Sequence, residues 1–373
     1  MKKPVLIALL AALVVLSRAP AAHADAPRSA QPLGIVVADS GMGVVAAAMA
    51  AAAPSPQYAW GTILLAWCES EGTGTSHSVN LGEWALHEAR WIGRQVLRRA
   101  SECPSTISLA RSGERVVMVT DSYSPHQAQL LQLERAVSGF AKKMALTFDG
   151  ATGTSLDADA NMIALGTYEQ RAPVVQMPAT SSTPPPMHVL HVRLFDASTL
   201  SIISARVFRG EHLLRPHQVP ERASHALRLL GGRLFVAVPD DDPRIVALRL
   251  PSLATERERT FTVPGNLRTP FSSSIVLNRM GDDLLIGLGE TFALSPKLET
   301  VARHGVAITN PIAFDPTAHR VLATDGQPVT LDGYRVRVFA DDPGAPDTLV
   351  LFAHGRGIVI RLPQAAATIR VLP

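Results

Sequence analysis

The residues with the most chemical potential lie in short polar turns. Asp240-Asp241-Asp242-Pro243 gathers three carboxylates, the hard oxygen donors that a Ca2+ site requires. Asp282-Asp283 and Asp341-Asp342-Pro343 repeat the theme. These residues also suit ordinary turns, because Asp accepts hydrogen bonds from nearby backbone and Pro presets φ. Consecutive carboxylates rarely converge on one point without further ligands. Turn formation is therefore the expected role, and Ca2+ is the one cofactor the pattern suggests. His354-Gly355-Arg356-Gly357 is the second candidate. Its glycines would let a ligand approach the backbone, and Arg356 could clamp an anion beside His354, although a turn between two strands explains the same residues.

The remaining pairs are weaker. His188 and His191 look like metal ligands, but an offset of three in a strand sends them to opposite faces. His77 with His87, and His212 with His217, have no better spacing. The four tryptophans, Trp60, Trp67, Trp84 and Trp91, all lie early in the chain. They could stack on a carbohydrate, but core packing of the first repeats is the expected use. The sequence has no Gly-x-Ser-x-Gly elbow, His-Glu-x-x-His pair, phosphate-binding loop or haem-attachment site, and no catalytic residue can be assigned.

Cys68 and Cys103 are the only cysteines. An even count in an oxidising compartment predicts a disulfide, with two buried thiols as the alternative. The chain opens in a way that points to such a compartment. Lys2 and Lys3 precede an apolar run from Pro4 to Leu16, followed by Ala22-His23-Ala24. This is the layout of a cleavable signal peptide over residues 1–24, with 25–32 a short segment after it. The apolar run is shorter than the roughly 20 residues of a membrane span. No cysteine follows it, so no lipid anchor is expected.

Removing the leader changes the charge argument. The net charge of +3 includes Lys2, Lys3 and Arg18, and residues 25–373 balance 32 basic against 32 acidic residues. A nucleic-acid partner is therefore not expected. All but five of the basic side chains are Arg, and Ala is abundant. That usage suggests a GC-rich bacterial source, hence periplasm or extracellular medium.

The elements that would position these residues form a repeat. Segments 105–120, 223–238, 272–287 and 309–324 share one layout: an alternating apolar strand, a polar turn, then a compact aliphatic strand. Such pairs read as hairpins. Runs such as Ile245–Leu250 continue the unit. Leu194–Leu200 and Phe292–Leu298 then mark a third turn, before the chain resumes at Ile202 and Val301. Four strands per unit cannot bury both faces alone, but radial packing against copies of the unit does so. Second strands are expected near Ile35, Ile63, Val116, Met162, Leu234, Leu284, Val321 and Leu349. Eight hits fit seven blades if the first strand, at 34–38, pairs with the closing strands over 349–372; eight blades is the alternative count. Residues 33–373 thus form one all-β domain, with a Pro-rich loop at about 173–187.

The core-strand segments Val116–Asp121 and Leu234–Asp240 resemble those of bacterial β-propeller repeat proteins of the YVTN and quinoprotein-amine-dehydrogenase-like type. The resemblance is strongest over 105–373, and no Trp-Asp dipeptide supports the WD40 pattern. It implies a shape shared by binding proteins, lyases and dehydrogenases, not a chemistry.

Residues 33–150 admit a competing reading. Leu33–Asp39 as a strand, Gly41, Gly43 and Ala46 opening a helix, and Glu69 closing a second strand would form a dinucleotide-binding unit. Leu130, Leu133, Val137, Phe140 and Met144 also fall at helical spacing. That reading predicts helices at 43–53 and 125–144 ahead of a smaller propeller. The single propeller is preferred, because the repeat unit at Ser105 lies inside the supposed α/β domain. The expected function is binding of a protein or surface glycan by a monomer, through loops on one face. The alternative is an enzyme at the central channel: a metal-assisted hydrolase or lyase before a quinoprotein dehydrogenase.

Overall fold

The computed structural model describes residues 32–35, 44–52, 57–171, 187–209, 226–238, 243–261, 276–304, 313–315, 320–323, 337–340, 348–353, 356–361 and 367–372, apart from 59, 72–75, 105, 124–125, 138, 281 and 289. Every regular element among them is a β-strand. Blade 1 holds β2 (Val44–Ala51), β3 (Thr62–Glu71), β4 (Ser76–Ala85) and β5 (Arg90–Ala100). Blade 2 holds β6 (Ile107–Ser112), β7 (Arg115–Tyr123), β8 (His126–Ala136) and β9 (Gly139–Asp149). Blade 3 holds β10 (Ala151–Ala158), β11 (Met162–Arg171), β12 (Met187–Asp196) and β13 (Ile202–Arg209). Blade 4 holds β14 (Leu227–Leu230), β15 (Arg233–Val238), β16 (Arg244–Arg249) and β17 (Ala254–Thr260). Blade 5 holds β18 (Val276–Met280), β19 (Asp283–Leu288), β20 (Glu290–Leu294) and β21 (Thr300–His304).

These five sheets are antiparallel, with strands paired in chain order. Blade 6 is a three-stranded sheet of β22 (Ala313–Asp315), β23 (Arg320–Ala323) and β24 (Arg337–Ala340), the last parallel to β23. In blade 7, β25 (Thr348–Ala353), β26 (Arg356–Arg361) and β27 (Ala367–Leu372) are followed by β1 (Pro32–Ile35), which pairs antiparallel with β27, Pro32 opposite Arg370. Among the described residues the fold is a β-propeller of seven sheets.

Two of the eight expected second strands have other places. Ile35 ends the outer strand of blade 7, and Leu349 lies in the first strand of that blade. Both are aliphatic strands, so apolar content alone could not tell their rank in the sheet. The helices of the competing reading are absent from the described residues, where 44–51, 126–136 and 139–149 are strands. The fingerprint fails with them: β2 runs antiparallel to β3, with Val44 opposite Glu69, so no parallel βαβ unit exists.

The physical reason lies in double-faced burial. Ala128 and Leu130 of β8 join a core shared with blade 3, whereas Leu131 and Leu133 join one shared with blade 1. A strand buried on both sides reads as a continuous apolar run and mimics helical spacing. Val137, part of the same apparent periodicity, is fully exposed in a turn. The Ala-rich β2 has helical propensity, but tertiary pairing overrides it. Its Ala52 end and Ala48 pack against Cys68, Val116 and Met118.

The core is accordingly divided among blade interfaces. Five clusters fill the interfaces 1–2, 2–3, 3–4, 4–5 and 7–1, the last bringing Ile358 and Ile360 against Trp67 and Trp84. Each fully buried aliphatic or aromatic side chain contributes on the order of 1.5–3 kcal/mol.

The turn before the outer strand recurs with an unusual backbone. Leu200, Leu253 and Leu298 adopt positive φ (53°, 55° and 62°), a conformation that disfavours branched L-residues by roughly 1–2 kcal/mol. All three leucines are buried, and that burial offsets the strain. Guanidinium groups from the preceding blade then tie two of these turns down. Arg206 Nη1 donates to the Leu253 carbonyl at 2.8 Å while lying over the Phe208 ring, and Arg259 Nη1 donates to the Leu298 carbonyl at 2.8 Å while lying over Phe261. An Arg-x-Phe pair at the end of one outer strand thus latches the next blade. Between blades 2 and 3, Arg115 and Gln132 donate instead to the Ala197 carbonyl.

Candidate functional site

Strand alternation decides which loops share a face. In each antiparallel blade the first–second and third–fourth turns leave one end, and the second–third turns and blade-to-blade connections leave the other. Adjacent blades have the same polarity: Arg111 at the β6 end donates to the Ala52 carbonyl beyond β2, and Ser112 donates to the Asp159 carbonyl beyond β10. At the hairpin end the chain turns within a few residues, at 113–114, 137–138, 197–201, 231–232, 250–253 and 295–299, with 52–61 the long exception. At the opposite end β11, β13, β17 and β21 stop, with 15, 17, 15 and 8 residues before the next strands, β12, β14, β18 and β22. These wide gaps between strands therefore begin and end on one face.

The candidates named from sequence divide as follows. Cys68 and Cys103 form a disulfide, with a Cα–Cα distance of 5.8 Å. It joins β3 to the segment after β5, at the end that carries the long connections. Arg356 begins β26 opposite Ala353. His354, Asp240, Asp241 and Asp242 lie outside the described residues, as do His212, His217, Asp341, Asp342 and the Pro-rich loop through residue 186. Asp282 and Asp283 occupy the β18–β19 turn and its exit. His188 and His191 face Gln170 and Thr167 in the β11–β12 register, three apart and so on opposite faces. The tryptophans pack in the 7–1 interface: Trp67 stacks on Trp91 with centroids 5.2 Å apart, and Trp84 meets Trp91 edge-on at 5.1 Å.

Two polar clusters escaped the sequence reading. On the inner strands, the Asp157 carboxylate accepts hydrogen bonds from the backbone N–H of Leu229 in blade 4 (2.7 Å) and of Ala158 (3.0 Å). Desolvation pushes this carboxyl above its ordinary range, against the pull of the Arg228 and Arg279 guanidiniums on blades 4 and 5. Burial in turn lowers Arg228, while Asp157 raises it. One buried acid on blade 3 thus feels a base on each of blades 4 and 5.

In blade 3, Arg193 reaches Glu169 Oε1 at 2.7 Å and the Thr167 hydroxyl at 2.6 Å. His191 Nε2 lies 3.2 Å from Glu169 Oε2, and Arg193 also covers the Phe148 ring of blade 2. The signal was present as two alternations, Thr167-x-Glu169 and His191-x-Arg193, each of which puts polar groups on one face of a strand. By spacing alone His191 pairs with His188 instead. In both clusters the carboxylate oxygens are already committed to N–H or hydroxyl donors within the fold. Such groups position blades; an incoming substrate would have to displace those donors.

No protein-family model matches the sequence, and no curated protein matches it. Among solved structures, the chain is similar to an acylaminoacyl peptidase from Pyrococcus horikoshii at 12% identity and a TM-score of 0.49, covering 83% of this chain and 49% of that one. The likeness is one of fold. Sqt1 from Chaetomium thermophilum is similar at 11% identity and a TM-score of 0.44, covering 92% and 99% of the two chains. The Dos1 propeller is similar at 8% identity and a TM-score of 0.40, covering 92% and 95%. The chain spans about half the length of the peptidase it matches. No residue role carries across at these identities. Among the described residues no helix is long and apolar enough to cross a membrane.

Proposed function

We propose that this chain is an exported propeller that binds a protein or a surface glycan through the connections on one face, without catalysing a reaction. The observation that carries this reading is the asymmetry of the two ends. Short turns close one end of most blades, while at the other end 15, 17, 15 and 8 residues separate successive strands, over 172–186, 210–226, 261–275 and 305–312. A rigid scaffold that concentrates long, sequence-variable loops on one side is the usual layout of a recognition surface. The committed carboxylates of Asp157 and Glu169 support the non-catalytic part. The Cys68–Cys103 disulfide supports an oxidising compartment, in keeping with a leader over residues 1–24.

The test compares two loop variants of the chain after residue 24. One replaces 173–185 with a short Gly-Ser linker; the other replaces the tight turn at Gly231-Gly232 with Asn-Gly. Each is applied to a glycan array and to cross-linking in the exporting cell. The reading expects binding that the first variant loses and the second keeps. Equal binding by both variants, or turnover of a glycan or peptide that depends on Asp157, would overturn it.

A further inference from the structure

Cys68, His77 and Cys103 bring their ligand atoms within 4.8 Å of one another. Cys68 and His77 share the face of blade 1 that packs on blade 2, since Cys68 pairs with Val79 and His77 lies two residues before it on β4. The third member comes from the non-strand segment after β5, where Cys103 Sγ sits 3.5 Å from His77 Nδ1. Two sulfurs and one imidazole are the donor set of a thiophilic metal site with an open fourth position. The geometry points to a redox-gated metal site: with the disulfide intact the sulfurs are bonded to each other, and with it reduced Cys68, Cys103 and His77 bind a Zn2+-like ion.

The chemistry balances with a dithiol reductant. Two electrons and two protons pass from the reductant, which closes its own disulfide, to the Cys68–Cys103 bond, leaving two thiols. Metal entry then releases both thiol protons, because thiolate is the ligand. Zn–S bonds of about 2.3 Å in a tetrahedron separate two sulfurs by about 3.8 Å. Most of the required opening falls to Cys103, which lies outside the strands, while Cys68 is fixed inside β3 and buried. His77 needs no large movement, because its ring already touches the Cys103 sulfur. The fourth position is left to water.

The experiment uses the chain after residue 24 with Zn2+ as the probe, scored by competition with a chromophoric chelator, and with Co2+ as a spectroscopic reporter. The phosphine-reduced protein should bind one equivalent and show a thiolate-to-cobalt charge-transfer band. The oxidised protein should bind none at that site. Cys103→Ser should abolish the band, and His77→Ala should weaken binding at least tenfold while far-ultraviolet circular dichroism stays unchanged. Equal affinity of the oxidised and reduced forms, or full affinity in His77→Ala, would overturn the assignment. Loss of the β-sheet signal on reduction alone would overturn it too, since the three ligands would no longer be held together.

Discussion

Replacing Arg206 with Met removes the donor that ties blade 3 to the positive-φ turn of blade 4, and keeps much of the aliphatic stem. Arg206 is half-buried, and its guanidinium makes a 2.8 Å bond to the Leu253 carbonyl and lies 5.0 Å from the Phe208 centroid. A hydrogen bond with a charged donor contributes about 1.5–3 kcal/mol, and a part-exposed cation–π contact about 0.5–1 kcal/mol. Discounted for partial exposure, the expected loss is about 2 kcal/mol. Arg259→Met should cost the same, because its contacts to Leu298 and Phe261 repeat the geometry. The two latches share no partner, so the double variant should lose about 4 kcal/mol. Arg257→Met, an exposed side chain on the same strand as Arg259, should stay within about 0.5 kcal/mol. Urea unfolding read by two probes measures this. All four tryptophans report on blade 1 and its approach, while circular dichroism reports on every sheet. Coincident curves license a single free energy. Equal losses in Arg206→Met and Arg257→Met would refute the latch, and a double variant no worse than either single would refute independence of the interfaces.

Three further outcomes are expected. Replacing both Cys68 and Cys103 with Ser should cost about 4 kcal/mol on the chain-entropy model for a 35-residue separation, and a loss below about 1 kcal/mol in the same unfolding assay would reject that origin. Gly82→Ala should cost about 1–3 kcal/mol by overpacking and disturb tryptophan fluorescence, because the new methyl would meet Trp91 Cε3 at 2.8 Å and the Gly93 carbonyl at 3.2 Å. Asp196, held by the hydroxyls and backbone N–H groups of Ser198 and Thr199, has its carboxyl lowered to about 2. Its ionised form therefore stabilises the fold above the unfolded value of about 3.9, and that contribution is lost as pH falls through about 2. The stability gap between wild type and Asp196→Asn should shrink between pH 4 and 2, and a nuclear magnetic resonance midpoint near 3.9 in the folded protein would contradict the assignment.

What the sequence made legible is what repetition enforces. The hairpins at 105–120, 223–238, 272–287 and 309–324 were readable because an apolar run, a polar turn and an aliphatic run recur in the same order. The turns ending at Leu200 and Leu298 were readable for the same reason, although nothing local revealed that a leucine there takes positive φ. Residues 125–144 were ambiguous because β8 buries both faces, which erases the alternation that distinguishes a strand from a helix. The Cys68–Cys103 contact followed from the even count and the expected compartment, whereas its nearness to His77 depends on β3–β4 register, which a sequence does not print.

The polar clusters illustrate the same boundary from the other side. Asp157 meets Arg228 and Arg279 only because three successive inner strands bring their hairpin ends together, so residues 71 and 122 positions apart become electrostatic neighbours. A propeller spreads its chemistry in this manner: each blade supplies one or two groups, and the ring brings them together. Scattered single residues are therefore the expected signature of any site on the fold, and local motifs are a poor detector of it. The scaffold also separates roles in space. Interfaces hold the ionisable groups whose partners are already set, among them Asp157, Glu83 with Arg135, and Glu169 with Arg193. None of these ionic partners lies in the long connections between strand ends. Specificity placed there can change while the fold stays, which is why the face of the long connections is the first surface to test.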